Sequence, residues 1–278
     1  FNSEATSPEC IRITEILPIL DPELTKISKM KCKNYRTFHL MDSGDFAASL
    51  NHYISTKFSK INLKWIGCSD PGPKSRRRPG YWMSGAECDS RMDSEANIIS
   101  LVQDTPEIGF HIITIGYSPD PAARLGSVLF ALYRLILKGT LIIRSRVVTD
   151  CFNLSLIFLL SQWFTSIQFI RPISGNYRDG DMFIIAAGYK AKVDDAQVDR
   201  LFEILKYLKT EPARSGSPAA IFEKSDMSLK LLSSILDAER KICVETSVRA
   251  KSESPNMIND WLKVNKIEKI DDSQKIGF

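Results

Sequence analysis

Histidine is scarce. The 278 residues hold three, His39, His52 and His111, and none is spaced from another as metal ligands on one element would be. Zinc chemistry is not expected, and no other metal set is visible. The six cysteines, Cys10, Cys32, Cys68, Cys88, Cys151 and Cys243, form no CxxC pair and show no pairing rhythm. This excludes a disulfide-stapled scaffold and fits buried free thiols in a reducing compartment, nucleus or cytoplasm. A secretory leader is missing from the polar, acidic residues 1–10, and the first residue is not Met, as expected of a fragment or processed piece. A membrane-spanning run is missing too. Residues 151–170 carry no charge, but seven of these twenty are Asn, Ser, Thr or Gln. That is too polar for a span and reads as a buried helix followed by a buried strand. What remains is ordinary: 44% hydrophobic and 25% charged residues, which excludes disordered and collagen-like chains. The length suits one large α/β domain or two small ones.

Periodicity organises the chain into alternating strands and helices. Residues 11–24 are partly helical, interrupted by Pro18 and Pro22. TFHLM (37–41) is a short strand, DSGD (42–45) a turn, and residues 46–53 a helix with Phe46, Leu50 and Tyr53 on one face. Strands follow at 63–68, 110–115, 140–143, 167–170 and 182–188, with helices at 122–137 and 151–164. The last two strands are joined by a short polar connection at 172–180, which predicts an antiparallel hairpin closing a parallel sheet. Three helical stretches come next, at 193–208, 227–248 and 256–264. The RSGSP run at 214–218 is the one good linker, which predicts a main domain over 1–210 and a helical extension over 211–278, packed on or beside it.

The net charge of +4 is mild, but its distribution is uneven. DPGPKSRRRPG (70–80) is a loop whose Lys74, Arg76, Arg77 and Arg78 sit near Tyr81 and Trp82. Basic side chains beside aromatics suit phosphate contact and base stacking, and a solvated surface loop explains them equally well. Between Ala122 and Lys192 nine basic residues face three acidic ones. Among them Arg144, Arg146 and Arg171 follow strand ends, where open α/β sheets bind ligands, so a phosphate or RNA groove is expected there. Plain helix-face charge is the alternative. His52 and Tyr53 read as structural, Cys68 and Cys151 as core, and Ser118 lies in GYSPD rather than in a nucleophile elbow.

Three blocks carry a family resemblance. DSGDFAASLNHY followed by KWIGCS resembles the first two strands of FtsJ-like RNA 2′-O-methyltransferases, nearest the cap-specific mRNA branch. LGSVLFALYRLILKGTLIIR and CFNLSLIFLLSQWF…IRPISGNYRDGDMFIIAAG resemble that family's later strands. The resemblance spans roughly residues 11–209 and implies an α/β fold: a Rossmann-like methyltransferase sheet, mostly parallel, with a C-terminal antiparallel hairpin and flanking helices. It also implies a Lys-Asp-Lys-Glu tetrad in which the late lysine takes the 2′-hydroxyl proton. Those four positions fall on Arg12, Gly116, Arg144 and Asp181, so none keeps the family's residue. A guanidinium stays protonated and is a poor base. Asp120 is a displaced alternative for the lost carboxylate, four residues past Gly116 and beyond Pro119.

The S-adenosylmethionine positions implied by the resemblance are Gly44, Asp70 and Gly116. The family's glycine-rich turn keeps Gly44 alone, and Asp45 stands where a small residue is typical. No cofactor is expected unless that pocket stays open. The resulting expectation is a catalytically inactive methyltransferase-like domain of a cap 2′-O-methyltransferase or capping complex. It would bind capped RNA through Lys74, Arg76, Arg77, Arg78, Trp82, Arg144, Arg146 and Arg171, or scaffold a catalytic methyltransferase domain or another capping-complex chain, without a membrane. Two alternatives stay open: an active RNA 2′-O-methyltransferase with displaced groups, and an interaction module that binds neither RNA nor cofactor.

Overall fold

A computed structural model describes residues 7–30, 33–68, 82–83, 91–146, 150–174, 181–210, 233–237 and 240. The chain enters through α1 (Pro8–Ile16), a 3-10 turn (Leu17–Leu20) and α2 (Asp21–Ser28). Ser7 caps α1 by accepting from the Cys10 amide at 3.0 Å, Pro8 takes the first turn, and Glu9 adds a negative charge at the positive end of the helix. Pro18 and Pro22 each fall in the first turn of the next piece, where a missing N–H costs nothing.

The alternating core follows: β1 (Asn34–Leu40), α3 (Asp45–Lys57), β2 (Asn62–Cys68), α4 (Glu95–Asp104), β3 (Phe110–Ile115), α5 (Pro121–Arg134), β4 (Leu135–Ser145), α6 (Cys151–Trp163), β5 (Phe164–Ile170), β6 (Met182–Tyr189) and α7 (Asp195–Thr210). The six strands lie in the order β2-β1-β3-β4-β6-β5. Strands β1 to β4 are parallel, while β6 runs antiparallel to both β4 and β5. This is the expected parallel sheet closed by an antiparallel hairpin. It places β1 at the point where the strand order reverses.

Both faces are covered, and the period-2 pattern shows how. Ile113, Ile115, Leu141, Ile143 and Ile184 pack with α5, α6 and α7, while Ile112, Ile142, Phe183 and Ile185 pack with α1, α2 and α3. Phe38, fully buried, meets Phe130 at 4.6 Å and Phe110 at 5.2 Å between ring centroids. Each such burial contributes about 1.5–3 kcal/mol.

The structure corrects the sequence reading at several elements: β1 starts earlier, at Asn34, and β5 at Phe164, and three further elements differ. The apolar run 135–137 begins β4 instead of ending the preceding helix, because Leu135 pairs with Phe110 of β3. The register then shifts, and Lys138 takes a positive φ of 66° before Thr140 pairs with Ile112. Helix α4 was not expected at all; Ser94 caps it, and Ile98 and Leu101 bury fully. The last strand runs one residue further, to Tyr189. Of the C-terminal extension, Ile235 lies in the described part and is buried against the main core; the stretch 256–264 and the linker lie outside it. No helix among the described residues is long and apolar enough to cross a membrane.

Candidate functional site

Open α/β sheets bind ligands where the strand order reverses, outside the carboxyl ends of the strands. Here that place lies beyond β1 and β3, and a cavity of about 450 Å³ occupies it. The turn after β1 supplies Met41, Asp42, Ser43 and Asp45; the end of β3 supplies Thr114, Gly116 and Tyr117; β4 supplies Arg144 and α1 supplies Glu9. Below it, the fully buried His39 bridges Thr37 and Thr114 at 3.0 and 2.9 Å. Burial holds that imidazole neutral, with its pKa pushed down to about 3.

The turn geometry decides what fits at Gly116. Met41 adopts a positive φ of 52°, and Gly44, at φ 108°, caps α3 in a conformation that only glycine takes freely. The turn therefore folds back over β3. Gly116 N–H donates to Leu40 O at 2.8 Å, and a Cβ on residue 116 would lie 2.0 Å from Met41 O. A carboxylate at this position would collide with backbone. The displaced candidate, Asp120, is already engaged: it caps α5 by accepting from the Ala122 and Ala123 amides at 3.0 and 3.2 Å.

The other three tetrad positions meet in space. Asp181 stands just ahead of β6, which runs antiparallel to β4, so it lies beside the end of β4. Its Oδ2 accepts from Arg12 Nη1 at 2.7 Å and from Arg144 Nη2 at 3.1 Å. Glu9 Oε2 bridges the same two guanidiniums, at 2.9 Å to Arg144 and 3.4 Å to Arg12. Arg146 approaches Asp181 Oδ1 at 3.9 Å and stacks on the Tyr117 ring at 4.2 Å. Asp181 is 2% exposed. A network of three arginines and two carboxylates thus occupies the place where the resemblance puts the family's tetrad positions.

The cavity wall itself is acidic. Asp42 accepts from the Phe46 amide at 3.1 Å, yet burial and then the Asp45 charge push its carboxyl up to about 7. Glu9 is also raised by burial, against the pull of Arg144 and Arg12. Asp45 does not stand alone: Ser7 and Ser43 donate to its two oxygens, and the Cys10 thiol, raised to about 11 by burial, lies 3.4 Å away.

The basic block of the sequence does not form one surface. Arg124 is buried, donating to Asn153 and to Ser145 at 3.3 Å, and Arg134 donates to Val102 O. Lys190 reaches the Ser161 and Gln162 carbonyls at the end of α6. Arg144 and Arg146 reach the site, and Arg171 follows β5 along the same edge. Trp82 forms a bridge beside β2 and meets Trp65 at 5.7 Å. Asp70, Lys74, Arg76, Arg77 and Arg78 lie outside the described residues, as do the Cys151 side chain and Arg178. Cys68 is buried, as expected, and Tyr53 is structural, donating to Asp21 at 2.6 Å. Among the described residues no cluster could hold a metal ion. Glu9 was the participant that sequence reading missed; its signal was the Ser7-Pro8-Glu9 helix start.

No protein-family model matches the sequence, and no curated protein matches it. Solved structures are similar at low identity. A putative ribosomal RNA methyltransferase from Plasmodium falciparum is 15% identical over 68% of this chain and 98% of its own, with a TM-score of 0.39. An rRNA methylase from Streptococcus thermophilus is 11% identical over 61% and 95%, with a TM-score of 0.39. Human methyltransferase-like protein 13, solved with SAH, is 12% identical over 79% and 96%, again at 0.39. Likeness of this degree carries nothing about activity. The fold rests on the chain's own strand order, which is that of a Rossmann-like, methyltransferase-like α/β sheet.

Proposed function

We propose that this is a methyltransferase-like domain that has lost methyl-transfer chemistry and serves RNA binding or scaffolding within a cap 2′-O-methylation or capping assembly. One observation carries the reading. At the position of the proton-accepting lysine, Arg144 is ion-paired with Asp181 and Glu9. A guanidinium paired in this way cannot take a proton from a 2′-hydroxyl. The backbone over Gly116 leaves no room for the missing carboxylate.

Arg144, Arg146 and Arg171 on one sheet edge support contact with RNA phosphates, and Tyr117 under Arg146 offers a stacking surface. Fluorescence anisotropy with a short capped RNA tests this. Binding should weaken steeply with added salt and weaken further in Arg146→Gln; an RNA that never binds, even at low salt, refutes it. In that case the scaffolding reading is left, and its test is co-purification with a catalytic methyltransferase domain.

A second reading is favoured by the cavity. At about 450 Å³ it is of the size small ligands fill, so S-adenosylmethionine could bind there without being used. Calorimetry with S-adenosylmethionine decides: a saturable heat supports retained binding, and its absence at millimolar ligand removes it.

A further inference from the structure

We propose that Arg12 and Arg144 form an oxyanion site for a phosphate group, and that Glu9 of α1 fills this site as an internal substitute. The inference deepens the RNA-binding reading above.

The geometry separates a permanent partner from a removable one. Two carboxylate oxygens, Asp181 Oδ2 and Glu9 Oε2, each bridge both guanidiniums. Asp181 is 2% exposed and fixed against the sheet at the start of β6. Glu9 is 20% exposed, sits in the first turn of a nine-residue helix and lines the open cavity. Rotation of one side chain removes it. Among the described residues Arg12, Arg144 and Arg146 are then ion-paired with Asp181 alone, and the cluster is left with excess positive charge.

The donors are also under-used. Glu9 offers one oxygen to the pair, and the Nε atoms of Arg12 and Arg144 are buried without a hydrogen-bond partner among the described residues. A buried donor left unsatisfied is costly. A tetrahedral oxyanion brings several acceptor oxygens, and the guanidinium fork suits phosphate through two parallel bonds. Burial raises the Glu9 carboxyl, so its place in the cluster carries a desolvation cost that its release to solvent removes.

The acidic wall opposite opposes an anion, and its chemistry sets when the site opens. Glu9 faces Arg144 from β4, Arg12 from α1, Asp181 ahead of β6, and Asp45 with Asp42 from the β1–α3 turn. Asp45 is already solvated by two serine hydroxyls. Asp42 takes up a proton near pH 7, and Glu9 gains one more readily than a free glutamate. Protonation of Asp42 removes negative charge as pH falls through that range, so anion binding strengthens toward pH 6.

Isothermal calorimetry with sodium sulfate, whose charge is constant over this range, and with inorganic phosphate at pH 7.5 tests the site at fixed ionic strength. Glu9→Gln should bind sulfate about tenfold more tightly than the wild type, and adding Arg144→Gln should abolish the gain. Glu9→Gln binding no more tightly than wild type overturns the proposal. Should that variant fail to fold, the wild type gives the answer alone: its sulfate affinity should rise severalfold from pH 7.5 to 6, and a flat profile overturns the proposal. Because the probes are inorganic anions, a positive result with no RNA binding refutes the RNA reading and leaves this site standing. RNA binding without any sulfate response does the reverse.

Discussion

At the edge where β1, β3 and β4 end, Glu9 and Asp181 each have two guanidiniums within hydrogen-bonding distance. At the edge where the same strands begin, Glu23 lines a cavity of about 400 Å³ with Ile19, Ile27, His111 and Leu137, and its carboxyl accepts from Tyr35 Oη at 3.2 Å. Glu9 and Glu23 are both desolvated. At the first edge burial raises Glu9 against the pull of Arg144 and Arg12; at the second burial wins over the Tyr35 hydrogen bond and the nearby Lys26, and Glu23 is pushed up to about 7. The comparison teaches that charge at the first edge is organised, while at the second it is merely tolerated. Organised charge within a sheet crevice is what a binding site needs.

Removing the organiser should have the largest effect. Asp181→Ala leaves Arg12 and Arg144 without their buried acceptor and should cost about 3–4 kcal/mol in urea unfolding. A loss under about 1 kcal/mol would put the two edges on the same footing. Gly116→Ala comes next, because its Cβ would lie 2.0 Å from Met41 O and the β1 turn must shift; about 2–3 kcal/mol is expected by the same measurement.

The second edge is tested by pH. The Glu23 carboxyl titrates near 4.5 when unfolded and near 7 when folded. Below the lower value both states are protonated and the group contributes nothing. Between the two the unfolded chain ionises first, so stability falls as pH rises, and the penalty is complete above the upper value. Glu23→Gln should therefore raise stability at pH 8 by about 1 kcal/mol, after allowance for partial solvent exposure, and leave it unchanged at pH 4. Equal effects at both pH values would show that burial of this carboxyl is not the cause. A change of similar size is expected for Asp120→Ala, which removes the α5 cap and should cost about 1 kcal/mol. It should leave any activity untouched, whereas the displaced-carboxylate reading requires that activity be lost.

Much of the fold was legible because the strands obey simple rules. FHIITI, with three isoleucines and a threonine, is β3 over its full length, and the polar connection at 172–180 correctly announced the antiparallel pair. Residues 135–137 misled because a short apolar run suits helix or strand, and only pairing with Phe110 decides. At the site, the resemblance pointed to Arg12, Arg144 and Asp181, and three distant segments do converge there. Their mutual pairing was not legible, since opposite charges 169 positions apart leave no local trace. Nor was the covering of Gly116, which depends on the positive φ of Met41. The basic block misled most: charge counted along the chain cannot separate the buried Arg124 from Arg146 at the site.

The most direct test of the central claim is transfer of labelled methyl groups from S-adenosylmethionine to capped RNA by the full chain. The ion-paired Arg144 and the covered Gly116 predict no transfer above the protein-free control. Transfer that turns over and is lost on Arg144→Gln would contradict the account.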